Sequence, residues 1–255
     1  PGNPGNVVMG IYGAGILVAL GSALILKKTI MRGDSTPFVM ELPPYRAPTL
    51  RGLLWHVGEK TLMYAKKAGT VILIASILIW ALTAFPVQPV DIAADSARAA
   101  SFIAAHPGAD EAVVEAHVAA ERAKSALEHS IAGRLGKALE PIVRPLGFDW
   151  RVGVAVVTGF AAKEIVVSTL GVMYAATDEG TGLTEALRAD PGFSPLTALG
   201  LMLFLLIIPP CFAALATLKA ELGWQWLGFS IAYMLALGWG LSFALRSVVL
   251  AFGWG

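Results

Sequence analysis

The chain has 255 residues, of which 56% are hydrophobic and 15% are charged, and its mean hydropathy is +0.68. Soluble domains carry about 25% charged residues, so this composition favours a protein embedded in a lipid bilayer. The 19 basic and 18 acidic residues give a net charge of +1. This balance excludes a strongly basic nucleic-acid-binding protein and leaves membrane lipid as the expected surroundings.

The apolar residues are gathered in windows long enough to cross a membrane. A spanning helix needs roughly 20 mostly apolar residues, because the hydrocarbon core is about 30 Å thick and each helical residue rises about 1.5 Å. The sequence therefore predicts an all-α integral membrane fold with about five transmembrane helices, some of them interrupted, plus an interfacial helix and an extracytoplasmic helical loop. The five windows are Val7–Leu26, Ala68–Phe85, Val152–Ala176, Leu196–Leu218 and Trp226–Phe252.

The segment between the first two windows, residues 27–67, carries eight basic and three acidic residues. The positive-inside bias predicts that this segment is cytoplasmic. Residues 47–67 mix leucines with basic residues, which is typical of an amphipathic helix that lies in the membrane interface and leads into the second span. An ordinary connector without chemistry is the alternative. The chain starts at Pro1 without an initiator methionine or a basic leader, so we expect a fragment or a processed start.

The next loop, residues 86–151, carries nine acidic and seven basic residues and lacks the cytoplasmic bias, so we expect it outside. One helical face of this loop is apolar at every fourth residue and is expected to pack back onto the membrane domain. The loop holds His106, His117 and His129 without close ligand spacing. These histidines are expected to be structural or solvated, with a metal-collecting vestibule as the alternative.

This orientation fixes the remaining sides of the membrane if all five windows cross it. The amino end then lies outside, residues 178–195 form a cytoplasmic loop, and residues 219–225 form a short outer turn. The carboxyl end is cytoplasmic. Arg246 lies about two turns from that end, where it is expected to snorkel to the interface, or alternatively to pair with Glu164.

The third window has Lys163 and Glu164 side by side at its centre. A central charge costs about 2.5–3.5 kcal/mol in lipid, so both side chains must face protein or water. Adjacent residues of a regular helix point about 100° apart, so either each has its own partner or the helix is broken there. A break or a close helix contact is favoured by neighbouring glycines and by the hydroxyl groups of Thr158, Ser168 and Thr169.

Two roles are open for this charged pair. In a permeation path, Glu164 is the natural cation ligand, and Lys163 tunes its charge or closes the path when it is empty. In a purely structural role, the two residues belong to a buried ion pair that fixes helix packing.

The fourth window contains Pro209, Pro210 and Cys211 near its centre. Each proline removes a backbone donor, which frees the carbonyls of Leu205 and Leu206 and kinks or interrupts the helix. A cation is one possible partner for freed carbonyls, and a thiol beside it favours a borderline-soft transition metal. The alternative is a proline kink in which the cysteine is a small apolar residue.

No phosphate-binding loop, zinc-protease motif or nucleophile elbow occurs in the sequence, so we predict that this chain is not an enzyme. Two ordered motifs, at 41–49 and at 146–151 continuing into 158–164, resemble the bacterial ferrous iron transport protein B family. The similarity covers most of the chain and implies the carboxy-terminal membrane half of that family. Its parts are the end of a core segment with the first membrane helix (1–46), the interfacial helix (47–67) and the second gate domain (68–255). The Ala-rich stretch 92–125 is not matched.

The resemblance implies inward transport of Fe²⁺ by a multi-pass protein of the bacterial inner membrane. Transport in this family is coupled to a GTP-binding domain that is not in this chain, so GTP and Mg²⁺ are expected only through that domain. The implied partners are the GTP-binding and first gate domains, small cytoplasmic accessory proteins and further copies of the transporter. Pro210-Cys211 matches the family's Pro-Cys element, a candidate for handling iron, and Lys163-Glu164 matches its gate motif.

We therefore expect Cys211 and Glu164 as metal ligands. The expected path or gating residues are Lys163, Thr158, Ser168, Thr169, Pro209 and Pro210. Two other functions stay open: a gate-type permease for nucleosides or other small solutes, and a non-transporting membrane scaffold or signalling subunit.

Overall fold

The computed structural model describes residues 3–30, 49–87, 89, 91–160, 163–174 and 182–253. Every regular element within these residues is helical and none is a strand, which confirms the all-α prediction. The chain divides into two compact units, Pro1–Thr70 and Val71–Gly255. Of the first family-like motif, residues 41–48 lie outside the described part of the chain.

The first unit contains helix α1, Pro4–Thr29, and the beginning of helix α2, Leu50–Ala84. The Asn3 side chain accepts a hydrogen bond from the Gly5 amide at 3.1 Å, and this cap starts α1. Helix α2 runs without interruption for 35 residues, about 50 Å, so the amphipathic stretch and the second apolar window form one helix.

Three helical stretches among the described residues are long and apolar enough to cross a membrane: Gly5–Thr29, Leu50–Ala84 and Pro195–Ala251. The protein is therefore a membrane protein, but the predicted number of five spanning helices is not confirmed. The third stretch is interrupted, and it consists of α9, Pro195–Ile207, followed by α10, Phe212–Ala251.

The second unit continues from α2 into the predicted helical loop, which forms α3 (Ile92–Ala105), α4 (Glu111–His129) and α5 (Ile131–Val143). Asp95 of α3 accepts hydrogen bonds from Arg98 at 2.9 Å and from Arg122 of α4 at 2.5 Å, and these ion pairs join the two helices. Ser130 begins α5 by accepting a hydrogen bond from the Gly133 amide at 3.1 Å.

The second family-like motif forms the turn into α6, Trp150–Gly159. Leu146 and Phe148 are fully buried on either side of Gly147, whose φ of 87° is the left-handed conformation that favours glycine. The Asp149 carboxylate caps α6 by accepting from the Val152 amide at 3.0 Å. The motif residues thus anchor the turn in the core and set the direction in which α6 leaves it.

After α6 the chain forms α7 (Ile165–Met173), α8 (Leu183–Ala189), α9 and α10. Helix α9 and the second half of α10 run antiparallel, since the Ser242 hydroxyl donates to the Gly200 carbonyl at 3.2 Å and Gly238 faces Phe204 and Ile207. Residue Gly223, with φ 83° and ψ 179°, interrupts α10 within the predicted turn 219–225. The hydrophobic core is shared by the 143–148 turn, α6, α7 and α9.

Candidate functional site

Helices α6 and α7 form an antiparallel hairpin. The hydroxyl oxygens of Thr158 and Thr169 lie 2.9 Å apart near the tip. At the open end, the Arg151 guanidinium lies 5.0 Å from the centre of the Tyr174 ring. Arg151 and Tyr174 are therefore neighbours although they lie close to opposite ends of the third apolar window, whereas the ends of a spanning helix are about 30 Å apart. This window folds back on itself as a re-entrant hairpin with Lys163 and Glu164 at its tip.

The fold-back corrects the predicted topology. The Arg151 guanidinium also donates to the Asp190 carboxylate at 2.6 Å, so the segments before and after the hairpin lie on the same side. Their predicted placement on opposite faces of the membrane is wrong. A hydropathy window measures length and apolarity only. It does not register that Gly159 lets Val166 approach so closely that an added Cβ would collide with the valine side chain.

Arg246 lies at the same end of the second unit, against the Cα atom of Gly147 and close to Thr197 of α9. The carboxyl end of α10 is therefore on the side of the 86–151 loop, and its predicted placement on the opposite side is also wrong. Arg246 makes no ion pair with Glu164 among the described residues, so the alternative pairing is not observed.

Thr158 and Thr169 hold the two arms of the hairpin together. Thr158 is 2% exposed and Thr169 is 6% exposed. The Thr158 hydroxyl also lies 3.0 Å from the carbonyl of Ala155 within α6, and either hydroxyl can be the donor in the bond between the two threonines. Ser168, the third predicted hydroxyl residue, is exposed on α7.

A second interruption lies between α9 and α10, where the prolines were expected to break the helix. Helix α9 ends at Ile207 and α10 begins at Phe212, with Ile208 to Cys211 outside both. Pro209 is fully buried and Pro210 is exposed. Since Pro209 has no N–H, the carbonyl of Leu205, four residues earlier, has no helical partner.

Lys163 supplies the missing partner. Its Nζ atom donates to the Leu205 carbonyl at 2.7 Å and to the Ile208 carbonyl at 3.3 Å. The tip of the hairpin and the break between α9 and α10 therefore meet, and a positive charge is held against the carboxyl end of a helix, where the backbone dipole is negative. Sequence analysis predicted the freed Leu205 carbonyl and a separate partner for Lys163, but not that each is the partner of the other.

Glu164 points elsewhere. It is exposed, and it makes no hydrogen bond or ion pair with any residue that the structure describes. Lys163 and Glu164 are thus not an ion pair with each other.

Cys211 begins α10 immediately after the two prolines. The thiol is half-buried and unbridged, and it makes no hydrogen bond at the start of the helix. Cys211 interacts electrostatically with Lys163, so the thiol belongs to the same site. Within the described ranges, no three side chains of His, Cys, Asp or Glu form a cluster that could hold a metal ion.

Two of the three histidines in the 86–151 loop have an aromatic partner. Phe102 stacks with His106 at 4.5 Å and with His117 at 4.3 Å between ring centres. The His129 ring contacts the Ser125 carbonyl at 2.8 Å. The structural or solvated role that we expected for these histidines stays a prediction.

The ion-paired mouth of the hairpin was not predicted. Arg151 joins Asp190, which lies 39 residues away in the chain, and it also stacks on Tyr174. Their separation in sequence gave no periodic signal. The only hint was that a charged residue directly precedes a long apolar window.

Two family models match the chain. One, described as the carboxy terminus of ferrous iron transport protein B, matches residues 8–60. The other is the Gate model, described as nucleoside recognition, which matches residues 65–225. No solved structure gives a significant match.

Curated relatives match almost the whole chain. The Fe(2+) transport protein A/Fe(2+) transporter FeoB fusion protein of Porphyromonas gingivalis is 39% identical over 99% of this chain and 31% of its own length. The Fe(2+) transporter FeoB of Leptospira biflexa is 34% identical over 94% of this chain and 32% of its own length. The Fe(2+) transporter FeoB of Helicobacter pylori is 37% identical over 86% of this chain and 35% of its own length. The chain thus spans about a third of these relatives, and it belongs to the ferrous iron transport protein B (FeoB) family, with that family's carboxy-terminal segment and a Gate domain.

Proposed function

We propose that this chain is the membrane part of a ferrous iron uptake transporter and that Fe²⁺ passes beside the break between α9 and α10. The observation that carries the proposal is the position of Cys211 at this break, next to the hairpin tip. Family membership supports Fe²⁺ as the transported ion, and the three long apolar stretches support transport across a membrane.

The chemistry of the break suits a transient ferrous site. A thiolate and a carboxylate favour a borderline-soft divalent metal over Na⁺. Cys211 and Glu164 are the proposed side-chain ligands, and helix-end carbonyls add oxygen donors. Sites in a conducting path must be weak enough to release the ion, so a small and partly main-chain ligand set fits transport better than storage.

The other predicted residues shape this path. Pro209 and Pro210 maintain the break between α9 and α10. The Thr158–Thr169 bond holds the two arms of the hairpin together near its tip. Exposed Ser168 is the one hydroxyl among the three predicted that is free to face a passing ion. Transport, not catalysis, is the proposed activity of this chain.

The proposed setting is the bacterial inner membrane, with inward transport of Fe²⁺. A GTP-binding domain and a first gate domain of the same transporter are the proposed partners, together with small cytoplasmic accessory proteins and further copies of the transporter. GTP and Mg²⁺ would act only through the GTP-binding domain.

The test is uptake of radiolabelled Fe²⁺ by the full-length transporter carrying Cys211→Ser or Glu164→Ala. Changes outside the first ligand shell of metal sites cost roughly 10- to 100-fold, so loss of a direct ligand should lower uptake at least tenfold. Thr217→Ala is the matched control, since Thr217 only donates to the Ala213 carbonyl on the exposed side of α10, at 3.1 Å. Wild-type uptake in both ligand variants would remove these residues from the path.

The description of the Gate model favours a second candidate, a permease for nucleosides or other small solutes. The buried hydroxyls of Thr158 and Thr169 bind each other and are not free to recognise a nucleoside. Competition separates the two candidates: excess uridine should leave Fe²⁺ uptake unchanged, and inhibition by uridine would favour the permease.

A scaffold without transport activity is the remaining alternative. Exchanging the two charges, in the variant Lys163→Glu with Glu164→Lys, should abolish Fe²⁺ uptake if the pair serves transport. A scaffold whose partners adjust would keep its assembly and any activity of its complex.

A further inference from the structure

The end of α9 presents two main-chain oxygens to one point. The carbonyls of Leu205 and Ile208 accept hydrogen bonds from the same ammonium, at 2.7 and 3.3 Å. The last carbonyls of a helix have no partner within the helix, and they carry its negative dipole end. Two carbonyl oxygens that lie 2.7 and 3.3 Å from one cation could supply two ligands of a metal site.

The cation that occupies these oxygens comes from a distant part of the chain. Lys163 lies on the hairpin tip, 42 residues before Leu205. Its side chain is half-buried, and it forms no ion pair with a carboxylate among the described residues. The ammonium therefore faces helix-end carbonyls, and Cys211 lies nearby at the start of α10.

We propose that the Leu205 and Ile208 carbonyls form a cation subsite of the transport path, that the Lys163 ammonium is its resident occupant, and that the transported ion must displace it. This inference rests on the proposed function and assigns it specific atoms. Lys163 is a competitor for the metal, neither a ligand nor a structural ion-pair partner.

Electrostatics makes the two occupants exclusive. An ammonium at 2.7 Å from the Leu205 oxygen and a divalent ion on the same oxygen would be like charges within a few ångströms, which disfavours both together. The lysine side chain has a flexible four-carbon stem and can withdraw without moving the backbone. When no metal ion is bound, the Lys163 ammonium therefore offsets the negative end of the α9 dipole. The same contact holds the hairpin tip against the end of α9.

The first experiment measures competition by titrating Co²⁺ into the purified full-length transporter, with calorimetry for affinity and thiolate-to-cobalt absorption for Cys211. In Lys163→Met the side chain keeps most of its length but loses its charge. Hydrogen bonds to a charged group contribute enough that removing this competitor should tighten Co²⁺ binding roughly 10- to 150-fold. Lys163→Arg should bind Co²⁺ no more tightly than wild type. The control is Lys219→Met, since Lys219 lies over the Trp224 ring at 4.0 Å.

The second experiment needs no substitution. Acylation of individual lysines in the wild-type protein is followed by mass spectrometry with and without Co²⁺. Displacement predicts faster acylation of Lys163 when Co²⁺ is bound and no change at Lys219.

Two results overturn the inference: unchanged or weaker Co²⁺ binding by folded Lys163→Met, or unchanged or slower acylation of Lys163 when Co²⁺ is bound. Both readouts are binding measurements, so they stand apart from the failure of iron uptake. A protein that binds Co²⁺ in competition with Lys163 but does not import Fe²⁺ would contradict the proposed function alone.

Discussion

The ammonium of Lys163 lies 2.7 Å from the main-chain oxygen of Leu205 and replaces the hydrogen-bond donor that Pro209 lacks. This bond joins two irregular places in the described part of the chain, the tip of the α6–α7 hairpin and the break between α9 and α10. Irregular backbone at membrane depth is tolerated where it is buried in protein or lines a cavity. Each interruption thus accommodates the other, and Cys211 and Glu164 lie beside their junction.

The hairpin predicts which surface residues share a side of the membrane. Single cysteines placed at exposed Glu115 of α4 and Glu185 of α8, in a Cys211→Ser background, should react with an impermeant maleimide from the same side. Lys60→Cys, in the basic segment before the second span, is expected to react from the cytoplasmic side. If Glu115→Cys and Glu185→Cys were labelled from opposite sides, the third apolar window would have to cross the membrane, as first predicted.

The bond between Thr158 and Thr169 predicts coupled effects on stability. Thr158→Val leaves the buried Thr169 hydroxyl without its partner, and Thr169→Val removes the bond that the Thr158 hydroxyl makes to the other arm, so each should destabilise the protein by about 1–3 kcal/mol. The double variant should lose less than the sum, because both unpaired hydroxyls are then gone. Thermal unfolding in detergent measures the stabilities for this double-mutant cycle. The control is Thr217→Val, at an exposed position of α10. Strict additivity would show that the two hydroxyls are not coupled.

Gly147 is predicted to be intolerant of a side chain. Its φ of 87° is strained for other residues, and an added Cβ would collide with the Arg246 guanidinium. Gly147→Ala should destabilise the fold by about 1–2 kcal/mol, chiefly through backbone strain, because the flexible Arg246 side chain can move aside. Gly171→Ala, where a Cβ meets open space within helix α7, should be neutral or slightly stabilising. Equal melting temperatures for the two variants would contradict this packing.

Helices α3, α4 and α5 are predicted to lose stability in acid, because an ion pair joins each to the next. The Arg122 guanidinium holds the pKa of Asp95 below its usual value, and the Lys137 ammonium does the same for the pKa of Glu128. Carboxylates with lowered pKa values bind fewer protons folded than unfolded, so their contribution is complete above about pH 5 and is lost as the pH falls below about 4.

Circular dichroism melts at neutral and acidic pH measure this loss. The double variant Asp95→Asn with Glu128→Gln should melt at a temperature that depends less on pH across this range. The same acid sensitivity in wild type and variant would assign the effect to other groups.

Much of the site follows from local chemistry that a sequence displays. Paired prolines predict the end of α9 at Ile207, and a charged pair inside an apolar window predicts a break or separate partners at Lys163 and Glu164. Asp149 and Ser194 are typical helix caps, and both begin helices here.

The membrane topology could not be predicted from the sequence, because the length of an apolar window does not distinguish a spanning helix from a re-entrant hairpin. Helices α6 and α7 are only 10 and 9 residues long, and their pairing depends on contacts between Gly159 and Val166 and between Thr158 and Thr169. The Arg151–Asp190 bond that closes the mouth of the hairpin is likewise a property of the folded chain, since it joins residues far apart in sequence.

The most direct test of the ion route uses the one cysteine of this chain, Cys211. The rate at which a small maleimide alkylates Cys211 is measured in membranes under anaerobic conditions, with Fe²⁺, with Mg²⁺ and without added metal. The account predicts that Fe²⁺ slows alkylation, that Mg²⁺ does not, and that Glu164→Ala weakens the protection. An alkylation rate that is the same with and without Fe²⁺ would show that the ion does not pass at this break.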